Sequence, residues 1–245
     1  MISDFFLALL LALIQGLTEF LPVSSSAHLL FPSLLFGAKD FGIIFDISVH
    51  AGTLAAVIYY FKKEIQGLLK AWNPWSKTRN TENFSLGLNL IVATLPIVLV
   101  GLLASDLAES RSANIDSIAW ANLVFAGLLY AAFKSSSQSK SLTELTLFAA
   151  LIIGCFQALA VFPGASRSGM AITGALIIGL NIKDTSRFAF LLSIPTIMGA
   201  LILMLAKGAY SISFSDMLIM LTGFIGSALI AFFTIKSFLQ FVEKI

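Results

Sequence analysis

The sequence predicts an all-α polytopic membrane protein, and three observations support that class. Of 245 residues, 58% are hydrophobic and only 11% are charged, whereas soluble domains carry about 25% charged residues. Several apolar runs approach the roughly 20 residues that a helix needs to cross a bilayer. The Lys and Arg residues collect in a few loops, as they do in cytoplasmic loops of membrane proteins. The net charge of +2 is almost neutral, so no nucleic-acid partner is predicted.

Five segments have the length and composition of ordinary transmembrane helices. Pro96 and Pro195 predict kinks inside two of them. We therefore predict about five transmembrane helices, at residues 42–61, 86–104, 117–133, 188–206 and 217–235.

Two further apolar segments are broken by Pro, Gly and Ser and resume only briefly. Residues 4–21 are followed by "PVSSS" and a short arm at 27–36, and residues 145–162 by "PGASRS" and a short arm at 169–180. Because a helix rises about 1.5 Å per residue, these short arms cannot cross the hydrocarbon core. The pattern predicts two re-entrant helix hairpins.

The distribution of basic residues predicts the orientation. Residues 62–85 hold five Lys or Arg and residues 134–144 hold two more, so both loops are placed in the cytoplasm. Between these two loops, the connection on the opposite side of the membrane has a single basic residue, Arg111. With this assignment the first hairpin enters the membrane from the outside and the second from the inside.

The two hairpins also resemble each other in sequence. "IQGLTEFLPVSSSAH" aligns with "FQALAVFPGASRSG" after one gap at Leu21, which matches Gln15 with Gln157. We interpret residues 1–245 as one membrane domain with an inverted-topology repeat, repeat one at about 1–133 and repeat two at about 145–245. Inverted repeats place their sites near the midplane, where broken helices meet. Chance similarity between two apolar, serine-containing segments is the alternative.

Ionisable residues at membrane depth are functional candidates. Here they are Glu19, His28 and Arg167 at the predicted hairpin tips, and Asp46 and His50 in the first long span. The chain has only two histidines, which gives both more weight. Asp46 and His50 are four residues apart on one helix face, so we interpret them as a structural pair or as support for the site.

The tips have the composition of a phosphate site. The guanidinium of Arg167 matches phosphate oxygens, and the residues before each short arm bring hydroxyls and free backbone N–H groups to a helix N-terminus. For Ser168, a hydrogen bond to a backbone carbonyl is an equally good explanation, and Arg167 could instead form a structural ion pair with Glu19. The predicted phosphate-binding set is Ser26, Gly164, Ser166, Arg167 and Ser168.

The same tips hold groups for phosphoryl transfer. His28 lies three residues after Ser25, so it can act as a base toward the serine or itself attack phosphorus. Gln15 and Glu19 share a helix face, and their oxygens could hold a divalent cation, Mg²⁺ or Ca²⁺, that also binds substrate phosphate. Serine, histidine, acid and arginine around one phosphate predict a phosphoryl-transfer enzyme, with Ser25, His28, Glu19 and Arg167 as its catalytic residues.

These motifs are familiar. "QGLTEFLPVSSSAHL", "FDISVHAGTL", "PGASRSGMAITGALIIGL" and "RFAFLLSIP" resemble the undecaprenyl-diphosphate phosphatase (bacitracin-resistance) family over nearly the whole chain. The resemblance implies hydrolysis of undecaprenyl diphosphate to the monophosphate carrier lipid for peptidoglycan synthesis, and with it bacitracin resistance. It also implies a bacterial inner-membrane protein with a site open to the periplasm and a divalent-cation requirement.

The resemblance also implies roles for particular residues. The family's acidic motif maps onto Gln15 and Glu19, its serine and histidine onto Ser25 and His28, and its arginine onto Arg167. We favour Ser25 as the nucleophile with His28 as base or acid, and keep His28 as nucleophile as the alternative. The amide of Gln15 is a poorer metal ligand than a carboxylate, so cation binding would depend on Glu19 and the diphosphate.

Two further expectations follow from the resemblance. Members usually continue past "FLQFVEKI" into one more span, which predicts a groove beside residues 188–235, filled by lipid or by a second copy in a homodimer. A polyprenyl-phosphate transporter or flippase that uses the same midplane anion site is the alternative function. An intramembrane serine protease is disfavoured, because Ser25 and His28 lie on one loop without a GxSxG elbow.

Overall fold

The computed structural model describes residues 2–73, 80–103, 115–207 and 213–244, and within them every regular element is helical. The helices are α1 Ile2–Thr18, α2 Ser25–Phe36, α3 Ile43–Tyr60, α4 Lys62–Trp72, α5 Thr81–Leu103, α6 Ile115–Ser135, α7 Leu147–Ala158, α8 Arg167–Ile177, α9 Ile182–Lys207 and α10 Phe214–Val242. Short 3₁₀ turns at Leu142–Glu144 and Leu159–Val161 flank α7.

The prediction of five membrane-length helices is confirmed. Among the described residues, α3, α5, α6, α9 and α10 are long and apolar enough to cross a bilayer. Each overlaps one predicted span. The chain is therefore a multi-pass helical membrane protein. Three of the basic residues used for the orientation, Lys77, Arg79 and Arg111, lie outside the described residues.

The two Pro/Gly/Ser breaks interrupt helices as predicted, and each second arm is short. Helix α2 has 12 residues and α8 has 11, about 18 and 17 Å at the usual rise. Both begin at a serine N-cap, since Ser24 accepts a hydrogen bond from the N–H of Ala27 at 3.4 Å and Ser166 accepts one from Gly169 at 3.1 Å. Such caps satisfy backbone donors that a helix start leaves free.

These N-caps correct the alignment of the two breaks. Ser24 and Ser166 are separated along the chain by the same number of residues as Gln15 and Gln157, so the structural match needs no gap. The predicted gap at Leu21 was wrong, because it placed Ser25 opposite Ser166. The N-caps instead place Ser25 opposite Arg167.

The helices pack in two groups joined by α9. On one side α1, α3 and α10 contact one another and α2 packs on α1. On the other side α7 contacts α5 and α8, and α6 packs on α8. Helix α9 touches α3, α5, α8 and α10. Buried Phe20 and Phe190 make an edge-to-face contact between α9 and the first break, with ring centroids 5.4 Å apart. The hydroxyl of Ser168 donates to the carbonyl of Leu21 at 2.7 Å, which ties the two breaks together.

Residues 62–85 contain more structure than the loop that the sequence predicted. Helix α4 occupies their first half, and Trp72 at its end stacks on Phe84 of α5 with ring centroids 4.9 Å apart. Glu64 of α4 accepts a hydrogen bond from the Nε of Arg187 at 3.0 Å. This half-exposed pair lies away from the cavity described below.

Candidate active site

The two helix breaks meet at one end of a cavity of about 430 Å³. Residues of α2, α3, α5 and α9 form its other walls. Most of this lining is apolar. Its polar groups come from the two breaks and from the neighbouring start of α3, where Lys39, Asp40 and Asp46 also line the cavity. We call the part formed by the two breaks the charged end, and the part walled by apolar residues of α5 and α9 the apolar arm.

Glu19 is the centre of the charged end. Its side chain is almost fully buried, and its Oε1 accepts a hydrogen bond from Nη2 of Arg167 at 2.5 Å. Its Oε2 accepts from the hydroxyl of Ser25 at 2.6 Å and from Nε2 of Gln15 at 2.8 Å. Arg167 also donates from Nη1 to the carbonyl of Ser193 at 3.2 Å. The structure thus joins the acid, serine and arginine that the sequence singled out.

The two breaks position these groups differently. Glu19 lies one residue past the end of α1, while Ser25 and Arg167 are the first residues of α2 and α8. Both helix starts thus send a side chain to the carboxylate, and the backbone N–H groups of a helix start favour anions. An ion pair in such a place can open to admit a phosphate, because the guanidinium gains equivalent acceptors.

Three further residues of the second break were predicted to bind phosphate, and the structure places only two of them in the cavity wall. Gly164 and Ser166 line the cavity. Gly164 has a φ of 97°, and a Cβ there would meet the carbonyl oxygen of Ile118 at 2.7 Å, so the turn requires glycine. Ser168 does not line the cavity, and its hydroxyl is donated to Leu21. We therefore remove Ser168 from the phosphate-binding set and give it the structural role.

His28 is oriented by its own helix. Its Nδ1 lies 2.7 Å from the carbonyl oxygen of Ser24, which can only accept, so Nδ1 carries the hydrogen and Nε2 is the basic nitrogen of the neutral ring. The ring packs against Phe31. His28 is not part of the cavity lining and makes no hydrogen bond to Ser25 among those of the described residues. The serine proton points instead to Glu19.

His50 lies nearer to the carboxylate than the sequence suggested. Its Nδ1 is 2.7 Å from the carbonyl oxygen of Asp46, and its Nε2 is 3.7 Å from Oε2 of Glu19. Both His50 and Asp46 line the cavity.

The described residues offer a resident divalent cation few free oxygen ligands. Such ions take six or more oxygen ligands, whereas both oxygens of Glu19 are engaged by Arg167, Ser25 and Gln15. The Oε1 of Gln15 is buried and finds no hydrogen-bond partner among the described residues. Within those residues no three His, Cys, Asp or Glu side chains are grouped to share a metal. We derive no chemical step through a metal.

The sequence did not indicate the apolar arm of the cavity. Its walls include one face of α5, with Val98, Gly101 and Leu102, and one face of α9, which carries Gly199 and Met204. The available signal was the glycine that follows the proline by about one turn in each of these spans.

A serine hydrogen-bonded to a carboxylate, with an arginine on the same carboxylate, defines a site that can transfer a phosphoryl group, and here a multi-pass membrane protein holds it. Residues 8–245 match the family described as "Bacitracin resistance protein BacA". The chain belongs to this family.

Relatives of nearly the same length carry one name. "Undecaprenyl-diphosphatase" of Saccharophagus degradans is 44% identical over 244 residues, which are 99% of this chain and 91% of the relative. The protein of that name from Teredinibacter turnerae is 44% identical over 246 residues, with 99% and 92% covered. The one from Alcanivorax borkumensis is 42% identical over 243 residues, with the same coverage.

Proposed function

We propose that this chain hydrolyses undecaprenyl diphosphate to undecaprenyl phosphate and inorganic phosphate. This reaction recycles the carrier lipid for peptidoglycan synthesis and gives resistance to bacitracin. The observation that carries the proposal is the hydrogen bond from Ser25 to Glu19, with Arg167 on the same carboxylate, at the charged end of a mostly apolar cavity. The names of the relatives support it.

The topology proposal concerns the two broken helices. Helices α1–α2 and α7–α8 are proposed as re-entrant hairpins that enter from opposite sides of the bacterial inner membrane, as parts of an inverted repeat. The short second arms, the matching serine N-caps and the basic loops support this topology. The site then opens to the periplasm. The homodimer and the groove beside α9 and α10 stay predictions.

Substrate binding uses groups that are already in place. The terminal phosphate displaces Glu19 from Arg167 and accepts the guanidinium fork. Backbone N–H groups at the starts of α2 and α8 hold its other oxygens, together with the hydroxyls of Ser26 and Ser166. The turn at Gly164 brings this backbone to the cavity wall.

The chemistry then follows from the orientation of Ser25. Its Oγ attacks the terminal phosphorus while its proton passes to Oε2 of Glu19, and the anhydride P–O bond breaks to release undecaprenyl phosphate. A water then attacks the phosphoserine, with His28 as base, because residue 28 lies on the same face of α2 as residue 25 and its Nε2 can accept a proton. The ring of His28 does not line the cavity in this structure, so this step requires the ring to turn toward the phosphoserine. The bond between phosphorus and Oγ breaks, Glu19 returns its proton to Ser25, and His28 passes the water's proton to the departing phosphate.

The divalent cation is proposed to arrive with the substrate, since diphosphate oxygens bind Mg²⁺ and Ca²⁺ and no three His, Cys, Asp or Glu side chains are grouped for an ion in the described part of the chain. A chelator is then expected to lower activity at least about tenfold. Calorimetry of the substrate-free protein is expected to detect no Ca²⁺ binding in the micromolar range. Micromolar binding that Glu19→Gln abolishes would contradict the proposal.

The proposed function is tested with purified protein in lipid nanodiscs and undecaprenyl diphosphate. Release of inorganic phosphate with multiple turnovers is the expected result. A transporter needs no nucleophile, so the hydrogen bond between Ser25 and Glu19 favours hydrolysis over transport. In vesicles, movement of a labelled polyprenyl phosphate across the bilayer without any phosphate release would refute the proposal in favour of the transport alternative.

A further inference from the structure

The apolar arm of the cavity reaches the outside of the helix bundle between α5 and α9. Val98 and Leu102 of α5 line the cavity, yet they are 40% and 61% exposed. Exposed residues in the cavity wall mark its openings. Val23 and Phe162, 38% and 50% exposed, mark one at the breaks, and Val98 and Leu102 mark a second one at α5. In a multi-pass membrane protein, the surface at this second opening faces lipid.

Two glycines leave open space along this arm. Gly101 on α5 and Gly199 on α9 both line the cavity, and a Cβ built on either meets no heavy atom of the described residues within 4 Å. Most residues around them on these helices are large and apolar. Glycine is a poor helix former, and neither position has a positive φ that would require it. The missing side chains widen the arm where leucine would narrow it.

The open space is connected to the charged end by α9. Arg167 donates to the carbonyl of Ser193, and Gly199 lies six residues further along the same helix, about 9 Å along its axis. A lipid diphosphate held by Arg167 would therefore send the start of its hydrocarbon chain along this wall.

We propose that Gly101 and Gly199 form a lateral portal through which the polyprenyl chain of the substrate passes into the membrane. This inference rests on the proposed function for the identity of the lipid. The portal makes the two glycines determinants of chain length: they are needed for a long polyprenyl tail and dispensable for a diphosphate whose short chain ends inside the cavity.

The test compares two substrates in Gly101→Leu, Gly199→Leu and Gly127→Leu. Gly127 is the matched control, because it too has open space around a Cβ but lies on α6 outside the cavity lining. We expect kcat/KM for undecaprenyl diphosphate to fall at least about tenfold in the two portal variants. For a short-chain, water-soluble prenyl diphosphate it should change less than about threefold. Gly127→Leu should leave both values near the native ones.

Equal losses on both substrates would show that the leucines distort the charged end, and unchanged turnover of undecaprenyl diphosphate would show that the chain leaves elsewhere. Either result overturns the portal. Absence of phosphate release by the native protein would refute the proposed function instead.

If the native protein releases no phosphate, a labelling measurement can still test whether a polyprenyl chain occupies the portal. In a Cys155→Ala background, which removes the native exposed thiol, undecaprenyl phosphate is expected to slow maleimide reaction of Gly199→Cys severalfold and to leave Gly127→Cys unchanged. Equal rates at residue 199 with and without the lipid would overturn the inference.

Discussion

Ser25→Ala is expected to lower kcat for undecaprenyl diphosphate by at least about 10³-fold, because loss of a nucleophile removes the covalent route entirely. The substitution deletes one oxygen and leaves the Arg167–Glu19 pair in place. Stability should therefore change little, and the effect should appear in kcat. The measurement is phosphate release under saturating substrate, with the melting temperature recorded in parallel.

Ser186→Ala is the matched control for this loss. Its hydroxyl donates only to the carbonyl of Ile182, four residues earlier, and it does not line the cavity. We expect less than about a twofold change in kcat, as for other residues outside the reacting groups. Native-like turnover by Ser25→Ala would rule out the serine as nucleophile.

Labelling of the protein by substrate distinguishes Ser25 from His28 as the nucleophile. With substrate labelled in its terminal phosphate, His28→Gln is expected to give a burst of acid-stable label on serine, because the first step proceeds without this base and the second does not. Acid-labile label on the native protein, absent in His28→Gln, would instead identify histidine as the nucleophile.

The fold was predictable where a single physical rule decides. Few charged residues are tolerated in the hydrocarbon core, so length and composition alone located α3, α5, α6, α9 and α10. For the majority of the helix ends, the predicted boundary lies within a few residues of the observed one. Proline, glycine and serine marked both helix breaks, because their backbone and capping preferences are local. The register between the two breaks was missed, since the N-cap choice among three consecutive serines depends on how the turn packs.

The site was predictable as a set of residues and not as a geometry. Rarity of charge at membrane depth pointed to Glu19 and Arg167, which come from breaks 148 residues apart in sequence. That the hydroxyl of Ser25 faces Glu19 depends on the path of the turn between them, which no periodicity describes. For the same reason we predicted an interaction between His28 and Ser25, whereas His28 contacts the carbonyl of Ser24. We also did not predict that His50 lies beside Glu19.

Arg167→Ala is expected to cost both activity and stability. Loss of the guanidinium that binds the transferred phosphate should lower kcat/KM by about 10³-fold or more. The same change leaves the carboxylate of Glu19 buried without its partner, which typically costs about 3–5 kcal/mol in the free energy of unfolding. Arg187→Ala is the control, because its half-exposed pair with Glu64 is outside the cavity and should be worth at most about 1 kcal/mol.

The double variant Glu19→Gln/Arg167→Met separates a catalytic pair from a structural one. Both charges are removed together, so no unpaired ion remains, and we expect most of the stability lost in Arg167→Ala to return. Activity is not expected to return, since both the proton acceptor and the phosphate-binding fork are absent. Phosphate release recovering together with the free energy of unfolding would mean that Glu19 and Arg167 only hold the two helix breaks together. Stability without activity is the result that the geometry around Ser25 requires, because the serine then has neither a base nor a bound phosphate to attack.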